Sequence, residues 1–383
     1  MAMSVEAWIC GFLWSVSFGV MLFGTAVSLF HLRRREGRRE EGSDEIGISV
    51  LKPLKGIEPG LRENLETFFQ QNYSNYELIF SVADADDIVL PLIRELIGRY
   101  PNVQSRLIVG DVKIGHNPKI NNIVQSYEGA RYDWIVIGDA NVRVSPDYLK
   151  TVSGYFSETL GVTSGVVAGV EPQGLGGWVE AAFLNTFLAR GTVAAFYVGR
   201  PIVIGKTMAF RRSVANRFGG VRFLAQYLAE DYMTGEMMAR LGMQVILMKE
   251  PVRQFVGRSS LKSFWLRHLR WGRLRRAHAP IAFVLEPFGS AFVAGLLGAY
   301  ACLQLTTFPL MMFLFLHGAV WMLCDCALMK RLLGRVTPQA LLGWLLREML
   351  AFPLWFHTSL GSTVMWHGHR LKLRMGGTLE SST

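Results

Sequence analysis

The chain has 383 residues, of which 50% are hydrophobic and only 18% are charged, a composition typical of a membrane protein rather than of an ordinary soluble domain. Its formal net charge is +10, but the arginines cluster beside apolar segments and no nucleic-acid-binding motif accompanies them. We therefore expect this charge to face a membrane and expect no nucleic-acid partner.

The first predicted element is a transmembrane helix. Ala7 to Phe30 carries no charged residue and is long enough to span a bilayer once. The basic stretch from His31 to Arg39 follows directly, which indicates that the chain after the helix is cytosolic. A cleaved signal peptide is not favoured, because the apolar run is too long and no small-residue cleavage site ends it. Residues 1–32 are predicted to be an N-terminal anchor.

From residue 45 to residue 257, short β-branched runs alternate with amphipathic stretches. This alternation predicts an α/β domain with a doubly wound, mostly parallel sheet. The predicted strands are Ile48 to Leu51, Tyr76 to Val82, Arg106 to Val109 and Trp134 to Ile137. The predicted helices between them are Leu61 to Phe69, Leu90 to Tyr100 and Pro118 to Tyr127.

Two of these strands end in acidic residues. The strand ending at Ile137 stops at Asp139, and the strand ending at Val82 runs into Asp84, Asp86 and Asp87. Ligands of open α/β sheets bind just past the carboxyl ends of the strands, so these acids predict a shared site. Taken singly, Asp139 has the alternative of capping the next helix, and the three aspartates have the alternative of a solvated turn.

Polar groups at a third position suit a nucleotide. Asn117 to Asn122 offers the Lys119 ammonium and amides such as Asn121 at a predicted helix start, where a base and phosphates can bind; an ordinary first helical turn is the alternative. Gly205-Lys206-Thr207 looks like the end of a P-loop, but Arg200 stands where that motif needs glycine. A P-loop kinase or ATPase is thereby excluded.

The later polar segments suit transfer onto a lipid. Glu230 and Asp231 open a predicted helix, and Leu261 to Arg276 is basic and amphipathic. A carboxylate that removes a proton, followed by a basic aromatic segment at a membrane, fits an anionic donor and a lipid hydroxyl acceptor. The alternatives are a helix start that complements the helix dipole and a simple head-group contact.

The order and spacing of Asp87, Asp139, Asp231 and Arg267-x-x-Arg270-Trp271 resemble the signature of membrane-bound, inverting family-2-type glycosyltransferases. Longer matching stretches run from residue 45 to the C-terminus and resemble ceramide glucosyltransferases. They resemble equally the bacterial branch that includes hopanoid glycosyltransferases. These stretches are Val50 to Gly56, Asn64 to Phe69, Asn117 to Asn122, Ala229 to Tyr232 and Leu373 to Thr378.

The resemblance implies a GT-A-like catalytic domain that moves a sugar from a UDP-sugar to a membrane lipid. Ceramide with UDP-glucose is the first expectation, and a hopanoid with UDP-N-acetylglucosamine is the alternative. A polysaccharide synthase would need more spans, and a non-catalytic lipid-binding protein would not need the whole signature. The implied roles are uridine and donor binding by Asp87, Lys119 and Asn121, metal-diphosphate binding by Asp139, general base catalysis by Asp231, and diphosphate and acceptor contacts by Arg267, Arg270 and Trp271.

The metal position departs from the pattern of many relatives. They have Asp-x-Asp, whereas Asp139-Ala140-Asn141 supplies one carboxylate and one amide, a weaker ligand set for a hard cation. We expect Mg²⁺ or Mn²⁺ held largely by the donor diphosphate.

The C-terminal part is predicted to return to the membrane. Residues 258–280 form an interfacial segment, and residues 281–383 hold a hairpin of two apolar segments, Ala282 to Leu305 and Phe308 to Met329. A third segment, Leu341 to Trp366, contains charges and a proline, which favour a re-entrant or interfacial element, with a third span as the alternative. Asp325 would then be an intramembrane acid near the acceptor path, with Arg347 as its expected partner; a paired structural acid is the alternative. We expect a bacterial inner-membrane protein with a cytosolic catalytic domain.

Overall fold

The structure is a computed structural model and describes residues 4–33, 46–366 and 369–381. The basic residues Arg34 to Arg39, and residue 45 at the predicted domain boundary, lie outside the described residues. The chain divides into two compact units. The sheet unit contains residues 46–171, 198–257 and 377–381, and the helical unit contains residues 4–33, 172–197 and 258–376.

The α-helices are, in chain order, α1 Val5–His31, α2 Leu61–Phe69, α3 Leu90–Arg99, α4 Pro118–Glu128, α5 Tyr148–Ser153, α6 Gly174–Phe183, α7 Ala189–Tyr197, α8 Arg212–Ala215, α9 Gly220–Leu224, α10 Glu230–Arg240, α11 Leu261–His278, α12 Pro280–Leu285, α13 Ala291–Leu305, α14 Leu310–Leu333 and α15 Pro338–Ser359. The strands are β1 Ile48–Leu54, β2 Tyr76–Val82, β3 Gln104–Val109, β4 Trp134–Gly138, β5 Val142–Arg143, β6 Leu160–Gln173, β7 Thr207–Arg211, β8 Gln244–Arg258, β9 Thr363–Trp366, β10 His369–Leu373 and β11 Leu379–Ser381.

The sheet unit is built on an eight-stranded sheet of the described residues, in the order β3-β2-β1-β4-β7-β6-β8-β5. Strands β3, β2, β1 and β4 are parallel, and they are the four strands predicted from the sequence. Helices α2, α3 and α4 lie where they were predicted. Strand β7 is antiparallel to β4 and β6, so the sheet as a whole is mixed. The sequence analysis assigned no strands after β4 and treated the sheet as mostly parallel, so it did not predict this antiparallel half.

The parallel strands β1, β2 and β4 are buried on both faces, whereas β3 at the edge of the sheet is partly exposed. All seven residues of β2 are buried, as its continuous apolar sequence predicts. Helices α2 and α3 cover one face with residues such as Leu65, Phe68 and Ile93, and α4 covers the other with Ile120 and Ile123. Since Leu54 pairs with Val82 and Leu51 pairs with Ile137, the carboxyl ends of β1, β2 and β4 meet at one edge.

In the helical unit, α1 and α14 are the described helices long and apolar enough to cross a membrane. The helical segments Pro280–Gly289 and Ala291–Leu305 meet the same criterion only as a pair bent by 69°. Among the described residues, α15 does not meet it. The third apolar segment of the sequence analysis forms α15, and the chain continues into the antiparallel hairpin of β9 and β10.

The contiguous domain expected between residues 45 and 257 is interrupted. Residues 172–197 belong to the helical unit, where α6 and α7 are joined by a π-helical turn at Leu184–Leu188. Helix α7 packs against α1, and α6 packs against α15. Close approach requires small residues, because a Cβ atom at Gly343 would lie 2.5 Å from the Trp178 carbonyl oxygen.

The buried charges of the helical unit are paired. Arg190 of α7 forms an ion pair with Asp325 of α14, and the Trp344 indole donates to the other Asp325 oxygen at 2.7 Å. The expected partner Arg347 is wrong: Arg347 pairs with Glu348, whose Oε2 accepts from the Ala291 N–H at 2.7 Å at the start of α13. Sequence reasoning missed Arg190 because its segment had been assigned to the other domain.

The Arg190–Asp325 pair should behave as a buried pair in an unfolding experiment. Arg190→Met leaves the Asp325 carboxylate without its counter-charge and should destabilise the fold by about 3–5 kcal/mol, whereas the double variant with Asp325→Leu should recover most of this loss. The unfolding temperatures of both variants are measured by heating the detergent-purified proteins and detecting the folded fraction by size-exclusion chromatography. Equal unfolding temperatures for the single and double variants would contradict the pairing.

Candidate active site

Three lysines surround Asp139 just past the end of β4. Lys119 Nζ lies 2.9 Å from Asp139 Oδ1, and Lys206 Nζ lies 2.9 Å from Oδ2. Lys52 Nζ donates to the Asp139 backbone carbonyl at 2.6 Å. Burial disfavours the charged form of the Asp139 carboxyl, but the Lys119 and Lys206 ammonium groups outweigh burial and hold its pKa well below its ordinary value. Asp139 is thus an ionised carboxylate in a cationic pocket.

The cationic pocket is joined to the start of α10. Lys119 Nζ also contacts Glu230 Oε1 at 2.8 Å. Burial lowers the pKa of the Lys119 ammonium, but Asp139 and Glu230 offset burial and hold that pKa above its ordinary value. Asn117 caps α4 by accepting from the Lys119 and Ile120 N–H groups, and its amide donates to Glu230 Oε2 at 3.2 Å. The starts of α4 and α10 are therefore fixed to each other through one lysine and one asparagine.

Asp231 lies beside Glu230 in the first turn of α10. Its Oδ2 accepts from the Gly205 N–H at 2.7 Å, and its Oδ1 accepts from the Tyr232 N–H at 2.8 Å. A Cβ atom at position 205 would lie 3.0 Å from Asp231 Oδ2, so glycine permits this approach. Burial raises the pKa of the Asp231 carboxyl to about 6, and Glu230 acts in the same direction. Such a carboxylate is ionised at neutral pH and more basic than an ordinary aspartate.

Asp87 and Asn121 organise the loops around this edge. Both Asp87 carboxylate oxygens accept from the Gly56 N–H, at 3.0 and 2.9 Å, and one also accepts from the Val89 N–H, so Asp87 ties the loop after β1 to the start of α3. Asn121 accepts from the N–H groups of Ile114 and Gly115 and donates to the Gly115 carbonyl. Their donor-binding roles remain predictions.

Asp139 and Asn141 are the candidate metal ligands. Asp139 Oδ2 and Asn141 Oδ1 both lie near Lys206 Nζ, at 2.9 and 3.1 Å, so one carboxylate oxygen and one amide oxygen already hold a cation between them. The described residues contain no cluster of three or more His, Cys, Asp or Glu side chains suited to a metal. Mg²⁺ commonly binds through one or two protein oxygens plus substrate phosphates, so this pair fits a divalent ion only together with the donor diphosphate.

The Arg267-x-x-Arg270-Trp271 motif lies in α11 of the helical unit. Arg267 forms an ion pair with the buried Glu180 at 3.1 Å, and Glu180 also lies 3.0 Å from His268 Nε2. The Trp271 ring packs edge-on against His268. Arg270 lies one turn after Arg267 on the same helix. The roles of the motif in diphosphate and acceptor binding remain predictions.

Sequence reasoning missed two of the three lysines around Asp139. Lys52 directly follows the predicted strand Ile48 to Leu51 and lies within the longer β1 of the structure, and Lys206 lies in the segment dismissed as a broken P-loop. A lysine at the end of a predicted buried strand was an available signal, because a buried ammonium requires a partner.

The sheet and its acidic edge define a GT-A-like glycosyltransferase fold. The solved structure of a mannosyltransferase from Pyrobaculum calidifontis, in complex with GDP-Man and Mn²⁺, matches with a TM-score of 0.53 at 17% identity, over 87% of this chain and 100% of that one.

Residues 16–379 match the model of glycosyl transferase family 21, and the chain belongs to this family. It is 28% identical to ceramide glucosyltransferase 1 of Caenorhabditis elegans over 342 residues, covering 88% of this chain and 73% of that protein. It is 26% identical to the ceramide glucosyltransferase of Komagataella phaffii over 432 residues, covering 87% and 84%. These findings confirm the resemblance to ceramide glucosyltransferases, while membership of the bacterial branch remains a prediction.

Lys52 should make the stability of the fold depend on pH. Its side chain is fully buried over the Phe68 ring, and burial lowers the pKa of its ammonium to about 7. Above pH 7 the unfolded chain therefore binds more protons than the folded chain, so the unfolding free energy should rise between pH 7 and about 9, by at most about 1.4 kcal/mol per pH unit. Lys52→Met should abolish this rise, and the exposed Lys249→Met should keep it. Parallel pH dependence of unfolding in wild type and Lys52→Met would contradict the assignment.

Proposed function

We propose that the chain transfers a sugar from a UDP-sugar to the hydroxyl of a membrane lipid, with UDP-glucose and ceramide as its substrates. The observation that carries this proposal is the placement of Lys119. Its ammonium joins Asp139, at the end of the parallel strands, to Glu230, which precedes the buried carboxyl of Asp231. A cationic pocket for a diphosphate and a basic carboxylate are thus built from adjoining residues. Membership of family 21 and relatives named as ceramide glucosyltransferases support the lipid acceptor.

The lysines would bind the donor diphosphate. Lys119 and Lys206 are held by Asp139, and both retain hydrogen atoms that can be donated to phosphate oxygens. As the bond between the sugar and UDP breaks, negative charge grows on the leaving phosphate, and ammonium groups that contact its oxygens stabilise this charge. Mg²⁺ or Mn²⁺, when bound by Asp139, Asn141 and the diphosphate, would supply further stabilisation of this charge as a Lewis acid.

Asp231 would act as the general base. The acceptor hydroxyl loses its proton to the Asp231 carboxylate while its oxygen forms a bond to the anomeric carbon. The bond from that carbon to the diphosphate breaks on the opposite face, so a single displacement inverts the configuration. A pKa of about 6 suits this role, because the carboxylate is ionised at neutral pH and still accepts a proton readily.

We further place the protein in the bacterial inner membrane with the sheet unit in the cytosol. The two described helices long and apolar enough to cross a membrane support membrane insertion, and the positive charges that follow α1 in the sequence support the orientation.

Transfer of label from radioactive UDP-sugars to separate ceramide and hopanoid acceptors tests this function. Wild type should form labelled glucosylceramide, and Asp231→Asn should lower turnover by roughly 10² to 10⁴ while donor affinity is kept. Asparagine keeps the size of the side chain and one of its two acceptor oxygens but cannot take up the proton, so a small loss of turnover would remove Asp231 from catalysis. A labelled hopanoid would show that the acceptor is a hopanoid rather than ceramide. A labelled polymer would indicate a polysaccharide synthase, and the absence of any labelled product in wild type would indicate a non-catalytic lipid-binding protein.

The pH profile of transfer tests the base separately. We expect kcat/KM to fall as the pH is lowered through about 6, because Asp231 becomes protonated. The charged groups that act on it are Glu230, which raises its pKa, and Lys119, which lowers it. Glu230→Gln removes the negative neighbour and should move the midpoint to lower pH. If the midpoint of the kcat/KM profile is the same in Glu230→Gln and wild type, the titrating group is not Asp231.

A further inference from the structure

Lys206 has a place in the structure that donor binding alone does not explain. It lies in the turn before β7, and its ammonium contacts Asp139 Oδ2 at 2.9 Å and Asn141 Oδ1 at 3.1 Å. Its side chain is only 14% exposed. Lys119, by contrast, contacts the other Asp139 oxygen and also Glu230. Of these two lysines, Lys206 is therefore the one held by both candidate metal ligands.

An ammonium and a divalent ion cannot both occupy this position. Each would take the same two oxygen atoms, and two cations a few ångströms apart in a recessed site repel each other strongly. If an ion displaced the Lys206 ammonium from Asp139 and Asn141, that ammonium would need a new partner, because Lys52 and Lys119 already place positive charge in the pocket. A donor diphosphate offers such a partner, because its oxygens accept from ammonium groups.

We propose that Lys206 is a built-in competitor that holds the Asp139–Asn141 position closed to divalent cations until a nucleoside diphosphate is present. This inference rests on the proposed function, since it takes the donor diphosphate as the group that accepts the displaced ammonium. Its consequence is an order of binding: the nucleotide precedes or accompanies the ion, and the ion alone binds weakly. Lys206 is a positioning and selectivity residue in this scheme, because it acts by excluding a ligand.

Titration of Mn²⁺ into the full-length, detergent-purified protein, followed by loss of the free-ion electron paramagnetic resonance signal, tests the proposal without turnover. Wild type should bind Mn²⁺ weakly without nucleotide and tighter with UDP. Lys206→Met keeps the apolar stem but removes the charge, and it should bind Mn²⁺ without nucleotide at least about tenfold more tightly than wild type. In Lys206→Arg the positive charge is kept, so this variant should bind Mn²⁺ without nucleotide as weakly as wild type does.

Two further variants make the result specific. Lys249→Met removes one positive charge from an exposed position and should bind Mn²⁺ as wild type does. Adding Asp139→Asn to Lys206→Met should abolish the gained binding, which assigns the ion to this position. Lys206→Gln replaces Lys206→Met if the latter does not fold.

Equal Mn²⁺ affinity of wild type and Lys206→Met in the absence of nucleotide would overturn the proposal, as would tight binding by wild type alone. UDP affinity measured both in chelator and with Mn²⁺ separates this failure from failure of the proposed function. Retained UDP binding in either condition, with unchanged Mn²⁺ affinity, removes only the competitor role of Lys206. Absence of UDP binding in every variant, with and without Mn²⁺, removes the nucleotide-dependent transferase itself.

Discussion

The neutralisation of Asp139 is the interaction on which the sheet unit depends. Its carboxylate and carbonyl receive ammonium groups from three separate parts of the chain: Lys52 from β1, Lys119 from α4 and Lys206 from the turn before β7. Each of these charges would be costly in a recessed site without a partner. Because the partners come from both the parallel and the antiparallel parts of the sheet, Asp139 links these parts in addition to the hydrogen bonds between β4 and β7.

Buried charges in the helical unit are likewise neutralised by partners. Arg190 and Asp325 neutralise each other between α7 and α14, and the Glu348 carboxylate both pairs with Arg347 and accepts from the start of α13. Apolar packing between helices is non-directional, whereas a buried ion pair tolerates only its own partner. The Arg190–Asp325 pair therefore constrains how α7 and α14 meet, and the hydrogen bond from the Ala291 N–H to Glu348 constrains how α13 meets α15.

Much of the sheet unit was predictable, because its information is local. Strand β2 and helix α2 have the predicted bounds, since apolar periodicity over a few residues determines each of them. The lysine pairings were not predictable, because they join residues far apart in sequence: Lys52 is 87 residues from Asp139, and Lys206 is 67. The Arg190–Asp325 pair spans 135 residues. A pattern read along the chain identifies charged residues, but only the fold shows which of them meet.

Gly205 and Lys206 are consecutive residues, and each holds a different aspartate: the Gly205 N–H binds Asp231, and the Lys206 side chain binds Asp139. Consecutive Cα atoms across a trans peptide are about 3.8 Å apart, so this turn limits how far apart the Asp139 and Asp231 carboxylates can lie. Inserting or deleting one residue here would move one anchor away from the other, even if every side chain were kept. The two aspartates therefore constrain the length of this turn, and the close approach of Asp231 favours glycine at position 205.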